Sequence, residues 1–339
     1  MYDPLETDLS RKELAAIFQE SKGLPICLIG GWATYFYVNE EYRRAFGKDY
    51  LGSRDIDIFF DPKQEKAFEN VIKRRGFEKD GLPFRYEKIY DREKKAFITQ
   101  EEASRSQVFN LVYIFLDLFS NARTKLGSWY LEPLRKISFF RMGDFTLADL
   151  DTLVSLKCVA IFARDKADKE SKDACDLYAL IRYGGKAIKM TGLFKRAIEK
   201  VLGRTDLMYA IAEHVLLDPG RQGIVEVALR DTLSGQVPEA PVRMKSISIL
   251  RWAGSFAENK DIAKELRVKH LLPALESKET VTLDFAGVEG ATQSFIHALI
   301  SDLIRSFGPE ALDSIIFKNC NETIKKIIGI VTEYMQASG

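Results

Sequence analysis

The spacing of apolar positions changes several times along the chain, and each spacing predicts an element. Over residues 10–22 the inward set Leu14, Ile17 and Phe18 is helical, whereas 25–29 is a continuous apolar run suited to a buried strand. Residues 32–46 continue as a helix. Asp55 and Asp57 alternate with Ile56 and Ile58 in a strand running into Phe59 and Phe60. The two carboxylates therefore share one face and the isoleucines the other. Residues 62–75 predict a helix closed by Gly76, and strands follow at 84–90, 108–119 and 134–141. The charged stretch 91–105 between them reads as a lid or a loop. Strand, helix, strand, helix, strand, strand is an α/β order built on a mixed sheet.

Helical spacing then dominates from 149 to 237, with breaks at Gly184-Gly185, Gly203, Pro219-Gly220 and Gly235. Pro238-Glu239-Ala240-Pro241 predicts a stiff, extended linker, because each proline fixes its own φ and restricts its predecessor. Beyond it the texture returns to short elements. Strands are expected at 244–252, 281–285 and 314–318, and helices at 257–274, 292–307 and 321–334, giving a small sheet flanked by helices. The expected divisions are 1–148, a helical region 149–237 completing the site of the first part, and 242–339.

Chemistry concentrates in the first two parts. In Leu28-Ile29-Gly30-Gly31-Trp32-Ala33 the glycines carry no Cβ, so the backbone can approach a phosphate while the following helix offers unpaired N–H groups. Asp55 and Asp57 repel each other unless a cation lies between them, and Mg²⁺ takes oxygen ligands of this kind. Asp117 ends the strongly apolar run 108–119, where a buried charge is costly unless paired or metal-bound; the plainer reading is a strand-end Asp reaching solvent. Lys157 lies among Leu150, Leu153, Leu156, Val159 and Ala160 and must find a partner or a pocket. Asp173 is placed to orient it, and the plainer reading of the charged turn 164–176 is a salt-bridged helical hairpin. Trp32, Tyr35, Phe36 and Tyr37 suit either core packing or stacking on a base.

A strand, then Gly-Gly opening a helix, then Asp-x-Asp on the next strand resembles the nucleotidyltransferase superfamily, and within it the abortive-infection toxins of nucleotidyltransferase type. Gly30, Gly31, Ser53, Asp55 and Asp57 fall on that pattern, with Arg54 as the residue just before Asp-Ile-Asp. Those toxins also have a helix pair with a Lys, a basic turn and Asp-x-x-Asp-Leu, matched here by Lys157, Arg164, Lys172, Asp173 and Asp176. The resemblance implies a metal-dependent transferase moving a nucleoside monophosphate from a nucleoside triphosphate. Asp55, Asp57 and Asp117 would hold Mg²⁺, and Gly30, Gly31, Ser53 and Arg54 would cradle the phosphates. Lys157 would neutralise the remaining charge, with Asp173 beside it. An RNA 3′ end or a protein hydroxyl leads as acceptor, ahead of a small molecule such as an aminoglycoside, in a toxin or phage-defence setting.

The third part is similar to STAS-like domains over 245–337. The matching runs are Leu283-Asp284-Phe285-Ala286-Gly287-Val288, Thr292-Gln293-Ser294-Phe295 and Ile316-Phe317-Lys318-Asn319-Cys320-Asn321. That likeness implies docking of a protein partner. It also draws attention to Thr292 and Ser294 near the place of a phosphorylation switch, although Thr and Ser at a helix start are first of all caps. Asp284 is expected to pin the following loop.

Composition limits the alternatives. At 339 residues the chain fits two or three domains, and its net charge of +1 offers no global attraction to nucleic acid or membrane. Four cysteines without metal spacing and three scattered histidines point to a reducing cytoplasm and no structural zinc. No signal peptide and no membrane-length apolar run are read in the sequence, so a cytoplasmic protein is expected. Two other functions stay open: a regulatory protein that docks a partner through its STAS-like part without catalysis, and a toxin domain restrained by that part. The intact Asp55–Asp57 pair argues for catalysis.

Overall fold

The computed structural model describes residues 3–122, 132–134, 137–163, 167–235, 244–276 and 280–337. Arg164 and the expected linker at 238–241 lie outside the described residues. The chain divides into two compact units, Met1–Tyr42 with Asp49–Pro238, and Arg43–Lys48 with Glu239–Gly339.

In the first unit α1 (Pro4–Glu20) begins earlier than its apolar spacing suggests. Asp3 caps it by accepting from the Leu5 N–H, and Pro4 supplies the preset φ of a first turn. β1 (Ile26–Ile29) is buried at every position and passes directly into α2 (Gly30–Phe46). After β2 (Ile56–Phe60), α3 (Glu65–Arg74) follows a short 3₁₀ turn begun by Pro62, and Gly76 at φ +75° turns the chain out of it. β3 (Glu78–Lys79), β4 (Arg85–Asp91) and β5 (Ala96–Ile98) form antiparallel pairs.

The charged stretch read as a lid or loop is in fact this hairpin followed by α4 (Gln100–Ala103), which carries a capping box of Thr99 and Glu102. β6 (Leu111–Phe119) starts later than expected, because Val108 and Phe109 are exposed in a 3₁₀ turn. The strand expected at 134–141 is shorter, β7 (Phe139–Met142), and pairs with β8 (Phe145–Ala148) across a turn in which Gly143 has φ +58°.

The described strands run β3-β4-β6-β2-β1-β8-β7, with β5 on the outer side of β4. β2 and β6 are parallel, as are β1 and β8, while β1–β2, β4–β6 and β7–β8 are antiparallel, so the sheet is mixed. One face of the three central strands is core: Ile56, Ile58, Leu116, Leu118 and Tyr86 are buried there. Asp57, Asp117 and Arg85 stand in register on the other face, paired Asp57–Asp117 across β2–β6 and Arg85–Asp117 across β4–β6.

Five helices complete the described part of this unit: α5 (Leu150–Ala163), α6 (Ala167–Tyr183), α7 (Gly192–Leu202), α8 (Thr205–His214) and α9 (Gln222–Leu233). Gly184 follows α6 because a Cβ there would meet the Leu180 carbonyl at 2.4 Å, and Gly185 adopts φ +70°. The Tyr42 hydroxyl donates to the Val215 carbonyl at 2.8 Å, fastening α2 to the end of α8.

The second unit contains β9 (Met244–Ser248), α10 (Ile249–Ala253), β10 (Phe256–Ala257), α11 (Lys260–Leu266) and α12 (Leu272–Glu276). β11 (Thr280–Asp284), β12 (Gly290–Ala291), α13 (Gln293–Phe307), β13 (Ile315–Lys318) and α14 (Glu322–Ala337) complete it. β9, β11 and β13 form a parallel sheet in the order β13-β11-β9. The first strand stops at Ser248, and the remainder of the expected strand 244–252 coils into α10. Val281, Leu283 and Phe285 meet Phe295, Ile296, Leu299 and Ile300 in a core of this unit's own. A fragment beginning at Met244 should therefore melt cooperatively by circular dichroism. A featureless thermal trace would show that it needs the rest of the chain.

No described helix is long and apolar enough to cross a membrane.

Candidate active site

The glycine pair defines one wall. Gly30 opens α2 at φ +70°, a conformation that disfavours side chains, and a Cβ on it would lie 2.0 Å from Asp57 Oδ2. A Cβ on Gly31 would lie 2.7 Å from Ser53 Oγ. The first task of Gly-Gly in this structure is thus to let Asp57 and Ser53 close onto the start of the helix. Ser53 Oγ donates to the Asp55 carbonyl at 3.0 Å and so shapes the entry to β2. Gly30→Ala should displace the Asp57 carboxylate and strain the backbone, costing about 1 kcal/mol or more of stability. Loss of Mn²⁺ binding by this variant, followed by paramagnetic resonance, would be the accompanying sign; unchanged binding and melting would refute the seating argument.

Asp55, Asp57, Asp117, Arg85, Gly31 and Ser53 face Lys157, Lys169, Lys172, Asp173 and Asp176 across a polar cleft of about 60 Å³. Asp55 receives Arg54 Nε at 3.2 Å on one oxygen and Lys169 Nζ at 3.5 Å on the other. The Arg54 guanidinium rests over the Phe115 ring, 5.3 Å from its centroid.

Asp117 is held differently. Arg85 Nε donates to its Oδ1 at 2.7 Å and Nη2 to its Oδ2 at 2.6 Å, a two-point pairing in which both oxygens are engaged. Burial lifts the Asp117 carboxyl above the ordinary carboxylate range, Arg85 works against that, and Asp55 adds to it. The hydrogen bonds to Asp117 raise the pKa of Arg85, which also feels Asp55 and Asp57.

The opposite wall is a buried charge network on α5 and α6. Lys157 Nζ lies 2.8 Å from Asp173 Oδ1 and 2.7 Å from Asp176 Oδ2, with its side chain 8% exposed. Burial disfavours its charge, yet Asp173 and Asp176 outweigh burial and hold its pKa above the ordinary lysine value. Asp176 is fully buried. Burial pushes its carboxyl up, but Lys157 and Lys172 pull it further, below the usual range. Lys172 pairs with Asp176 from one helical turn away, and the Tyr50 hydroxyl donates to Asp176 Oδ1 at 2.9 Å. Burial first, then Asp176, drives the Tyr50 phenol well above its ordinary pKa.

All the residues singled out in the sequence as ligands lie in this unit. Asp55, Asp57, Asp117, Lys157 and Asp173 line the cleft with Gly31 and Ser53, Gly30 seats Asp57, and Arg54 holds Asp55. Lys157 takes the buried ion-pair arrangement and is occupied by two carboxylates. Arg85, Lys169 and Tyr50 carry no motif. Lys169 was legible in one respect, since 169, 172, 173 and 176 recur at the spacing of one helix face. Trp32, Tyr35, Phe36 and Tyr37 pack in the protein: Trp32 Nε1 donates to Ser10 Oγ at 2.9 Å, and Phe36 stacks on Phe145 at 4.5 Å.

Asp55, in the bend just before β2, and Asp57, on β2, are hard oxygen donors lining one polar cleft where five carboxylates meet four cations, and this donor set fits Mg²⁺. Asp117 fits less well, because its oxygens belong to Arg85. Among the described residues, no group of three His, Cys, Asp or Glu is gathered closely enough to hold a metal together.

In the second unit Thr292 Oγ1 accepts from the Phe295 N–H at 3.1 Å and caps α13, with Ser294 Oγ 3.0 Å away. Asp284 Oδ1 accepts from the Ala286 N–H at 2.9 Å and from Asn319 Nδ2 at 2.7 Å, pinning the loop after β11.

Residues 263–325 match the model of a STAS-like domain of unknown function (DUF4325), so the second unit carries a STAS-like domain. No curated protein matches the chain. Solved structures similar to it include JHP933 from Helicobacter pylori, at 12% identity over 69% of this chain and 96% of that one, with a TM-score of 0.38. An antigenic nucleotidyltransferase-like protein from Paracoccidioides brasiliensis is similar at 16% identity over 62% and 98%, with a TM-score of 0.38. The antibiotic-resistance factor ANT(2'')-Ia is similar at 12% identity over 69% and 96%, with a TM-score of 0.30.

Proposed function

We propose that the first unit is a nucleotidyltransferase, moving a nucleoside monophosphate from a nucleoside triphosphate to a hydroxyl of an RNA or protein acceptor. The observation that carries this reading is the seating of Asp57 on Gly30 and Ser53 on Gly31, on a wall faced by lysines of α6. A phosphate chain needs close backbone approach, nearby cations and a means of tolerating adjacent carboxylates, and this cleft combines the three. Asp55 and Asp57 would hold Mg²⁺, which when bound supplies Lewis-acid stabilisation of charge on the transferring phosphoryl group.

The chain's own groups do the rest. Lys169, on α6 and partly open at 24% exposure, and Arg54 exchange Asp55 for phosphate oxygens as the triphosphate enters. Lys157 stays with Asp173 and Asp176 and positions the α5–α6 wall, so the phosphate-neutralising role passes to Lys169. In the transfer, the acceptor oxygen bonds to the α-phosphorus as the bond from that phosphorus to the oxygen bridging to the β-phosphate breaks. Pyrophosphate leaves with that electron pair, and a cleft carboxylate takes the hydroxyl proton. The described cysteines are all free thiols, which suits the cytoplasm.

Incubation with labelled nucleoside triphosphates, Mg²⁺ and total cellular RNA or protein tests the reading by transfer of label to a macromolecule. Thermal shifts with each triphosphate report binding separately, since ligand at a hundred times its dissociation constant adds about 2.7 kcal/mol. A second reading draws on the pairing of Asp55 and Asp117 with protein cations: a cleft compensated without ligand suits a regulatory protein docking a partner through 245–337. No label and no shift with any of four triphosphates would favour it.

A further inference from the structure

Among the cations lining the cleft, Arg85 comes from the sheet, whereas Lys157, Lys169 and Lys172 come from α5 and α6. Register fixes its position. Arg85 is the cross-strand partner of Asp117 on β4–β6, and Asp117 is the partner of Asp57 on β2–β6. The guanidinium is held at both ends of the Asp117 carboxylate and lies over the Phe115 ring, 4.7 Å from its centroid. Its side chain is 18% exposed. A strand residue so clamped does not swing away as a side chain on a loop would, and Arg remains charged at any relevant pH.

We propose that the Arg85 guanidinium occupies the place a second divalent cation would take against Asp117, so that the cleft holds a single divalent cation, on Asp55 and Asp57. This rests on the transferase reading. Arg85 then supplies the fixed positive charge on the Asp117 side of the transferring phosphoryl group, through the N–H donors that Asp117 does not use. A cation entering there would have to displace two charge-assisted hydrogen bonds in a mostly buried setting, and the guanidinium would lose its partner.

Mn²⁺ titration of the full-length chain, with free Mn²⁺ counted by paramagnetic resonance, tests this without any turnover. Wild type should bind one Mn²⁺, Asp57→Asn none, and Arg85→Gln two, the second disappearing in the Arg85→Gln/Asp117→Asn pair. Asp117→Asn alone should still bind one, and this variant decides the matter should Arg85→Gln fail to fold. Two Mn²⁺ in wild type falling to one in Asp117→Asn would overturn the proposal while leaving the transferase reading intact. A folded Arg85→Gln still binding one would also overturn it. No Mn²⁺ on wild type or on Arg85→Gln would remove both.

Discussion

Replacing Lys157 with methionine should destabilise the protein by about 3–5 kcal/mol, the range for breaking a buried ion pair and leaving its partner charged. Methionine keeps the stem and roughly the volume, so lost packing contributes little. The loss falls on Asp173 and on fully buried Asp176, which would retain Lys172 and the Tyr50 hydroxyl. The effect should depend on pH with a defined sign. Asp176 has its folded pKa held below the ordinary value, so its contribution is complete above the unfolded pKa, near 3.9, and disappears as pH falls through the folded one. Lys157 has a raised pKa, so its contribution is complete below about 10.4 and is lost as pH rises beyond. The gap between wild type and variant should be flat from about pH 5 to 9 and shrink in acid. Urea melts at pH 3, 5, 7 and 9 measure it. Equal stabilities at pH 7, with nucleotide binding alone lost, would instead show Lys157 reaching the phosphates.

Asp57→Asn should leave the fold intact and lower label transfer by on the order of 10²–10³-fold, the scale for removing one preorganised electrostatic group from a transfer site. The amide preserves the shape that fits against Gly30, where Asp57 Oδ2 takes the space of a Cβ. One negative charge leaves a cleft that holds Asp55 and Asp117 but also Arg85, which feels Asp57. Relief of repulsion and loss of attraction offset each other, so stability should change little. Transfer at the wild-type rate would end the assignment of Asp57 to the chemistry, and a collapse of the melting transition would recast it as structural.

What could be read from the sequence follows the range of each interaction. Gly30, Gly31, Asp55 and Asp57 fall within one strand–helix–strand passage, and period-2 alternation alone puts Asp55 and Asp57 on one face. Lys157, Asp173 and Asp176 share a helical hairpin, so helical spacing brought them together. Arg85 was not legible, because its pairing with Asp117 depends on the register of β4 on β6, and no local pattern states that register. Tyr50 reaches Asp176 from 126 residues away. In the fold, β8 was missed because Phe145–Ala148 is too short to display alternation. The charged stretch 91–105 hid a hairpin, since β5 is an edge strand with two of its three residues exposed.

The sheet also divides the chain by parity. Where β2, β4 and β6 border the cleft, the residues that line it are odd-numbered (57, 85, 117), with Phe115 under the guanidinium of Arg85, and their even-numbered neighbours 56, 58, 86, 116 and 118 are buried. Farther along the strands Phe59 and Ile89 are buried as well. A deletion of one residue inside any of these strands would exchange the two sets beyond it, pressing carboxylates into the core and isoleucines into the cleft. The same deletion between Asp91 and Leu111, outside β5 and α4, would leave β4 and β6 in phase. Tolerance to length change should therefore be sharply uneven along this stretch. Length can change in the parts of that connection outside β5 and α4, while the strands on either side admit substitution but not slippage.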